Sequence, residues 1–222
     1  MLRAYPKGAR ITSSNLDPAP FWRLGVQIAA LNWQYINEGM MLNHGMFEGT
    51  NGYVLKPSGY RDPAHQTMET AAETGTLDLT IELFAGANLP LENKKVKAYV
   101  KCELHVEEDE DAKNIHLPAD GKSKDGQYKR RSTTAKEGHD PDFGGQKMYF
   151  AGIKQVTQDL TFVRFKVLND EAFHRDGLVG WACFRLRRLK DGVRLIHILD
   201  DEGRTTSGRL LVRISKKFTP NR

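Results

Sequence analysis

Basic side chains are concentrated at the C-terminal end of this sequence, where they could bind an anionic partner. Residues 185–222 contain eleven Lys or Arg and four Asp or Glu, a net charge of +7, whereas the remainder of the chain carries −2. Such clustering favours a phospholipid surface or a nucleic acid, and the alternative is a solvated basic face. With a second group upstream, the candidate anion-binding residues are Lys122, Lys124, Lys129, Arg130, Arg131, Arg185, Arg187 and Arg188.

Metal-binding patterns are not found in the sequence. The two cysteines, Cys102 and Cys183, lie in separate predicted strands and are expected to be buried thiols in a reducing compartment. No two histidines lie within one helical turn of each other. The acidic run at residues 107–111 lacks the spaced carboxylates and glycine of a calcium-binding loop. We therefore predict no metal site in this chain.

The second part of the chain, residues 77–218, has the pattern of an all-β antiparallel sandwich. Apolar and polar residues alternate in several short runs, which is typical of strands with one buried face. Glycine, asparagine, aspartate and proline separate these runs, and about eight strands fit the length. The apolar positions include Leu77, Leu79, Ile81, Leu83, Val100, Cys102, Leu104, Val163, Phe165, Val167, Leu210, Val212 and Ile214.

The first part, residues 1–61, is less regular, and residues 62–76 are small and polar like a linker. Its apolar run over residues 26–34 could be a buried strand or a buried helix, since a run this short does not decide between them. The chain has no apolar stretch long enough to span a membrane and no secretion signal at its N-terminus. A cytoplasmic protein is expected.

The first part also contains a series of ordered motifs. They are Arg3-Ala4-Tyr5-Pro6-Lys7-Gly8, Ser13-Ser14-Asn15, Pro18, Phe21-Trp22, Gly25, Gln27, Ala30-Leu31-Asn32, Gln34, Met41-Leu42-Asn43, Gly45, Phe47 and Gly52-Tyr53-Val54-Leu55-Lys56-Pro57. In these motifs the first part resembles the Y-box of eukaryotic phosphoinositide-specific phospholipases C, and most closely its fungal or plant-like members. A C2 domain follows the Y-box in that family, at the position of the predicted sandwich. The resemblance therefore implies the last strands of a (β/α)₈ barrel joined to a C2 domain.

The resemblance implies a substrate-binding role for two residues. It places Arg3 and Tyr5 on the next-to-last barrel strand and residues 27–34 on the last strand. Arg3 would bind a phosphate of the inositol headgroup with its planar, two-donor fork, and Tyr5 would pack against the inositol ring. Residues two apart on a strand point to the same face, so the pair can contact one ligand.

The implied activity is hydrolysis of phosphatidylinositol 4,5-bisphosphate to diacylglycerol and inositol trisphosphate in lipid signalling. The family uses two histidines and a calcium ion held by acidic residues, and all of these belong to the other half of the barrel. None of the seven histidines of this chain matches a catalytic position. We therefore predict no catalytic residue and no cofactor here, and an inactive chain when it is alone. About sixty residues cannot close a barrel that takes ~250, so residues 1–61 should pack poorly by themselves.

The C2 part departs from calcium-binding members of its family. Lys97 and the Asn169-Asp170-Glu171 segment occupy loops where those members carry aspartates. A lysine repels calcium and offers it no lone pair. The sequence therefore predicts a calcium-independent C2 domain that binds anionic phospholipid as a peripheral membrane protein.

A different function remains open: the chain could be a non-catalytic C2 module that binds membranes or proteins. Nucleic-acid binding is supported only by the high isoelectric point, without any recognised motif, and is not expected. The sequence leaves the oligomeric state undetermined.

Overall fold

The structure is a computed structural model that describes residues 1–5, 14–57, 73–90, 96–106, 128–170 and 177–221. Lys122, Lys124, Glu171, the acidic run at 107–111 and most of the predicted linker lie outside these ranges. Helices are few, and eight of the ten strands belong to one antiparallel arrangement. The predicted all-β second part is therefore confirmed as a sandwich.

The sandwich consists of two four-stranded halves, β5-β4-β7-β8 and β9-β10-β3-β6. A single pair, Trp181 with Leu199, joins the halves at the edges of β8 and β9. A short 3₁₀ turn at Leu186–Arg188 follows β8. The strands are β3 (Gly75–Ala87), β4 (Ala98–His105), β5 (Lys129–Arg131), β6 (Asp142–Val156), β7 (Phe162–Asn169), β8 (Leu178–Arg185), β9 (Gly192–Leu199) and β10 (Thr205–Pro220).

The core lies between the two halves and is made by the apolar positions of the alternating runs. Leu77, Leu79, Ile81 and Leu83 from β3 are all buried and pack with Val100, Cys102, Val163 and Phe165 from the opposite half. Because these side chains recur at every second residue, they leave the other positions to the outer faces. Burial raises the pKa of the Cys183 thiol to about 12, and both cysteines are free and buried.

Four short elements precede the sandwich: β1 (Arg3–Ala4), α1 (Ala19–Arg23), β2 (Ile28–Ala29) and α2 (Glu38–Phe47). β1 and β2 pair in parallel, with Arg3 opposite Ile28. The run at 26–34 thus contains a strand, but a shorter one than the residues 27–34 expected from the resemblance. A closed barrel is not present among the described residues.

Helix α2 packs against β8 of the sandwich. Leu42 and Met46 from the helix share one apolar cluster with Phe162 and Trp181 from the sandwich. Gly45 permits this contact, because a Cβ atom there would lie 2.9 Å from the Sγ of Cys183. The first part therefore does not pack only on itself; it shares a core with the sandwich.

This packing changes the prediction that β4 and β7 each have one exposed face. All eight residues of β4 are buried, as are seven of the eight in β7. The polar residues Lys101, Glu103 and Arg164 are each 2% exposed or less. The alternation correctly identified the core face, but the first part of the chain covers the opposite face.

Candidate functional site

Arg3 and Tyr5 lie at the N-terminal end of the described chain. Ala4 is buried between them, while Arg3 and Tyr5 are exposed, Tyr5 at 63%. The strand is held by backbone bonds, since the N–H of Ala30 donates to the carbonyl of Ala4 at 2.9 Å. The Leu2 N–H also donates to the side chain of Gln27 at 2.6 Å. The two side chains therefore lie on the same exposed face and are accessible to a ligand.

Asn15 ties together the loops that surround this strand pair. Its side-chain amide donates to the carbonyls of Asn32 and Tyr35, at 3.1 and 2.7 Å. Its Oδ1 accepts from the N–H of Asn32 at 2.5 Å. Asn37 then caps α2 by accepting from the N–H of Met40. Asn15 and Asn32 belong to the motifs that carry the resemblance, and the structure assigns them a positioning role.

A buried charge cluster joins the first part of the chain to the sandwich. Glu103 on β4 accepts two hydrogen bonds through Oε2 from Arg164 on β7, at 2.9 Å from Nε and 2.6 Å from Nη2. The ammonium of Lys166 lies 3.5 Å from the same oxygen. The same ammonium lies 3.8 Å from Glu38 at the start of α2. The cluster thus connects two strands of the sandwich to the covering helix.

A second polar contact lies at the same interface, between the imidazole of His105 on β4 and the carboxylate of Asp17. Its Nε2–Oδ2 distance is 3.7 Å, and the His105 side chain is 8% exposed. Burial lowers the pKa of His105 below its ordinary value; Asp17 opposes this shift and Arg164 adds to it. Burial alone would raise the pKa of Glu103, but the charges of Arg164 and Lys166 outweigh it and the pKa is lowered.

Both shifts predict that acid destabilises this interface. Below an ordinary imidazole pKa of about 6.5, His105 binds a proton in the unfolded chain more readily than in the folded chain. Glu103 also lowers the free energy of unfolding as the pH falls further, because its carboxylate binds a proton at a higher pH in the unfolded chain than in the folded chain. We expect the urea midpoint to fall as the pH is lowered from about 7.5 to about 5.5.

The variant His105→Gln should flatten this pH dependence. His197→Gln is the matched control, because His197 is exposed on β9 and should leave the slope unchanged. Equal slopes in wild type and His105→Gln would show that the buried imidazole is not the group that responds.

Several of the predicted basic residues contact acidic or aromatic groups of the protein itself. Arg187 donates to Asp159 through Nε at 2.8 Å, and Arg185 lies 3.7 Å from the same carboxylate. On β5, the ammonium of Lys129 lies 3.9 Å from Glu103 and the guanidinium of Arg131 lies 3.2 Å from Asp170. Arg130 lies over the ring of Phe150, at 5.0 Å from its centroid. Arg188, in the 3₁₀ turn after β8, is exposed.

The described side chains in the loops that carry Lys97 and Asp170 are paired with other residues of the protein. The carboxylate of Asp170 pairs with Arg131 and accepts from the hydroxyl of Thr134 at 2.5 Å. The ammonium of Lys97 lies 3.8 Å from Glu137. The positive charge beside the Asp170 carboxylate is thus the guanidinium of Arg131. Across the described ranges, no three His, Cys, Asp or Glu side chains come together as a metal site.

Sequence reasoning did not find the buried charge cluster. Its one visible signal is that β4 and β7, which pair antiparallel, place Glu103 directly opposite Arg164 in the register. On a solvated face, such a pair would contribute little to stability. The described part of the chain also contains no helix that is long and apolar enough to cross a membrane.

Comparison with known proteins relates both parts of the chain to one family. Residues 1–59 match the family model for the Y domain of phosphatidylinositol-specific phospholipase C, and residues 77–200 match the model for the C2 domain. The 1-phosphatidylinositol 4,5-bisphosphate phosphodiesterase 1 of Candida albicans is 29% identical over 90% of this chain and 20% of its own length. The human delta-1 phosphodiesterase is 32% identical over 96% of this chain and 27% of its own length.

A solved structure agrees with these matches. The crystal structure of L. pealei PLC21 superposes with a TM-score of 0.74 at 26% identity, covering 99% of this chain and 26% of that protein. The chain thus spans 20% to 27% of the length of the curated relatives named above. It carries a C2 domain preceded by a match to a phospholipase C Y domain, so it belongs to the C2 domain family and corresponds to the C-terminal part of its phosphatidylinositol-specific phospholipase C relatives.

Proposed function

We propose that this chain contributes to a phosphoinositide phospholipase C that hydrolyses phosphatidylinositol 4,5-bisphosphate to diacylglycerol and inositol trisphosphate. The observation that carries the proposal is the order of the two matches, a Y domain at residues 1–59 and a C2 domain at residues 77–200. The proposed division is a barrel segment at 1–61, a linker at 62–76 and a C2 domain at 77–218. β1 and β2 would be the last two barrel strands, and their parallel pairing supports this assignment.

Arg3 and Tyr5 would bind the headgroup in the complete enzyme. Active sites of such barrels lie at the C-terminal ends of the strands; β1 is only two residues long, with Arg3 as its first residue and Tyr5 directly after its last. The guanidinium would hold a ring phosphate with two hydrogen bonds, and the phenol ring would cover one face of the inositol. Calcium chemistry would polarise the phosphate in that enzyme; this chain would contribute binding and orientation of the headgroup.

The C2 domain would attach the enzyme to anionic phospholipid without calcium, as a peripheral membrane protein of the cytoplasm. Ion pairs engage several of the basic residues proposed for this contact, and Arg188 is the more accessible of those in the 3₁₀ turn. The ion pairs in the loops of Lys97 and Asp170 support calcium independence.

A chimera tests the proposed activity. Residues 1–221 would replace the matching segment of the Candida albicans relative, and release of inositol phosphates from labelled vesicles would be measured. We expect an active chimera in which Arg3→Met lowers kcat/KM about 100-fold, the loss typical of removing one charge-stabilising donor.

Arg204→Met is the control for this variant, since its exposed side chain lies in the turn between β9 and β10. An inactive chimera beside an active parent would contradict the proposal. It would favour a non-catalytic C2 module that binds membranes or proteins.

A further inference from the structure

One face of the sandwich remains exposed: the side of β9-β10-β3-β6 that points away from the core, here called the outer face. The other half of the sandwich is covered by α2, as described above. The strand register places Val193, Arg213, Glu82 and Lys147 in one row across the four strands of the outer face. A parallel row holds Ser215, Thr80 and Tyr149.

The outer face carries unusually exposed apolar side chains. Val193 and Leu195, two residues apart on β9, are 53% and 58% exposed. Leu211 lies opposite Leu195 in the register and extends this apolar area onto β10. Tyr149 on β6 is 54% exposed. Val193, Leu195 and Leu211 adjoin one another at one edge of this face, and Tyr149 lies on the opposite edge strand. Single exposed apolar residues are common, but an adjoining group indicates a contact surface.

The same face is positively charged. It holds Lys147, Arg209, Arg213 and Lys217, all exposed, against the two carboxylates of Asp78 and Glu82. Arg213 pairs with Glu82 at 2.7 Å. By contrast, Lys147, Arg209 and Lys217 make no ion pair with any other described residue. These three cations are thus available to an anionic partner. Arg185 and Arg187 differ from them, because both lie beside the carboxylate of Asp159.

A shallow groove of about 420 Å³ opens at the Lys217 end of this face. Arg213, Ser215 and Lys217 line it together with Asp78 and Asp191. Asp78 accepts from the Gly152 N–H and Asp191 accepts from the Lys216 N–H, and both carboxylates keep their negative charge. The ammonium of Lys216 donates to the carbonyls of Leu186 and Leu189 at 2.9 Å. Lys217 faces Asp78 in the register but makes no ion pair with any described residue.

We propose that the outer face of β9-β10-β3-β6 is the surface by which the C2 domain docks on an anionic phospholipid bilayer. Val193, Leu195 and Tyr149 would enter the headgroup region, while Lys147, Arg209 and Lys217 would contact lipid phosphates. Such a bilayer surface has anionic phosphate headgroups above an apolar interior. Unpaired cations suit the headgroups, and exposed aliphatic and tyrosine side chains suit the boundary with the interior. The inference rests on the membrane association proposed above and assigns it to one surface, to which the basic C-terminal segment contributes Arg209 and Lys217.

Co-sedimentation with vesicles tests this surface in the whole chain. Phosphatidylcholine vesicles with and without phosphatidylserine would be compared, with circular dichroism to confirm that each variant is folded. Wild type should bind only the anionic vesicles, more weakly with added salt and equally with chelator. Loss of two cations from the surface should weaken vesicle binding about 30-fold. The variant Arg209→Glu/Lys217→Glu removes two cations and adds two carboxylates, so its binding should be weakened at least that much.

Arg187→Glu/Arg188→Glu carries the same change in net charge and compares the outer face with the other candidate contact, the 3₁₀ turn. It should weaken binding less than threefold, because its charges lie in the 3₁₀ turn rather than on the outer face. A third variant, Val193→Ser/Leu195→Ser, keeps the charge and should lower the binding that persists at high salt. Its two positions are exposed, so the fold should not change.

Several results would overturn the proposal. Equal losses of vesicle binding in the two charge-reversed variants would show that only the net charge of the protein attracts it to the bilayer. A requirement for calcium would place the contact in the loops of Lys97 and Asp170. No binding of wild type to anionic vesicles would leave this face to an acidic protein partner. Vesicle binding is measured without catalysis, so an inactive chimera would count against the proposed activity and leave this test unaffected.

Discussion

Replacing Glu103 by glutamine is expected to lower the free energy of unfolding by about 3 to 5 kcal/mol. The glutamine keeps the size of the side chain but removes its charge. Arg164, 2% exposed, and Lys166, 3% exposed, would then lack their shared carboxylate. Burying an uncompensated cation costs far more than losing an exposed ion pair. Urea denaturation at neutral pH measures the change.

Glu202→Gln is the matched control for this prediction. Glu202 also pairs with an arginine, Arg204, but both side chains are largely exposed, at 65% and 68%. Its removal should leave the urea midpoint within experimental error. If Glu103→Gln lowers the free energy of unfolding no more than the control does, water must reach the charge cluster.

A double variant separates the two contributions of the cluster. Glu103→Leu/Arg164→Met removes both charges at once and leaves Lys166 with Glu38, which lies 3.8 Å away. It should be more stable than Glu103→Gln, because replacing both partners of a buried ion pair by apolar residues of similar size is often nearly neutral. Trp22 and Trp181 lie in the adjacent apolar cluster, so their fluorescence reports whether α2 stays docked.

The alternation of apolar residues predicted the core of the sandwich because that signal is local. Leu77, Leu79, Ile81 and Leu83 are at most 1% exposed, as their period of two requires. The same local signal failed for Lys101, Glu103 and Arg164. On this side Met41 of α2 contacts Arg164, 123 residues later in the chain, and a window of ten residues contains no information about such a contact.

The basic clusters illustrate a second limit of the sequence. Counting charges gave Arg185 and Arg187 the same weight as Arg209 and Lys217. The fold distinguishes them, since Asp159 lies beside the first two and no described acid pairs with the last two. Whether a cation is available depends on its spatial neighbours, which net charge does not report.

The motifs that resemble the Y-box were informative for a different reason. Asn15 and Asn32 are bonded to each other across the loops, so their spacing in the sequence records a specific geometry. Arg3 and Tyr5 face one side because they flank a buried alanine. Their proposed ligand still comes from the family resemblance, since an exposed arginine near a tyrosine does not by itself identify an inositol phosphate.

The isolated chain is expected to release no inositol phosphate from phosphatidylinositol 4,5-bisphosphate vesicles, even with calcium. The family reaction needs a general acid, a general base and a metal ion, and acid–base catalysis alone is worth about 10² to 10⁴ in rate. The described histidines do not supply that pair. His105 is buried beside Asp17, and the ring of His44 lies 5.3 Å from the ring of Trp181. Nδ1 of His139 lies 3.1 Å from the carbonyl oxygen of Leu89, and His197 lies on the outer face.

The assay compares the isolated chain with the active chimera at equal concentration, using a sample without protein as background. We expect the chain to lie at least about 10⁴-fold below the chimera, the upper range of what acid–base groups contribute. Binding and orientation by Arg3 and Tyr5 cannot replace these groups, because they hold the headgroup without moving a proton. Turnover that follows the chain through two chromatographic steps and is lost in Arg3→Met would contradict this prediction. It would require a general base among residues to which neither the sequence nor the fold assigns that role.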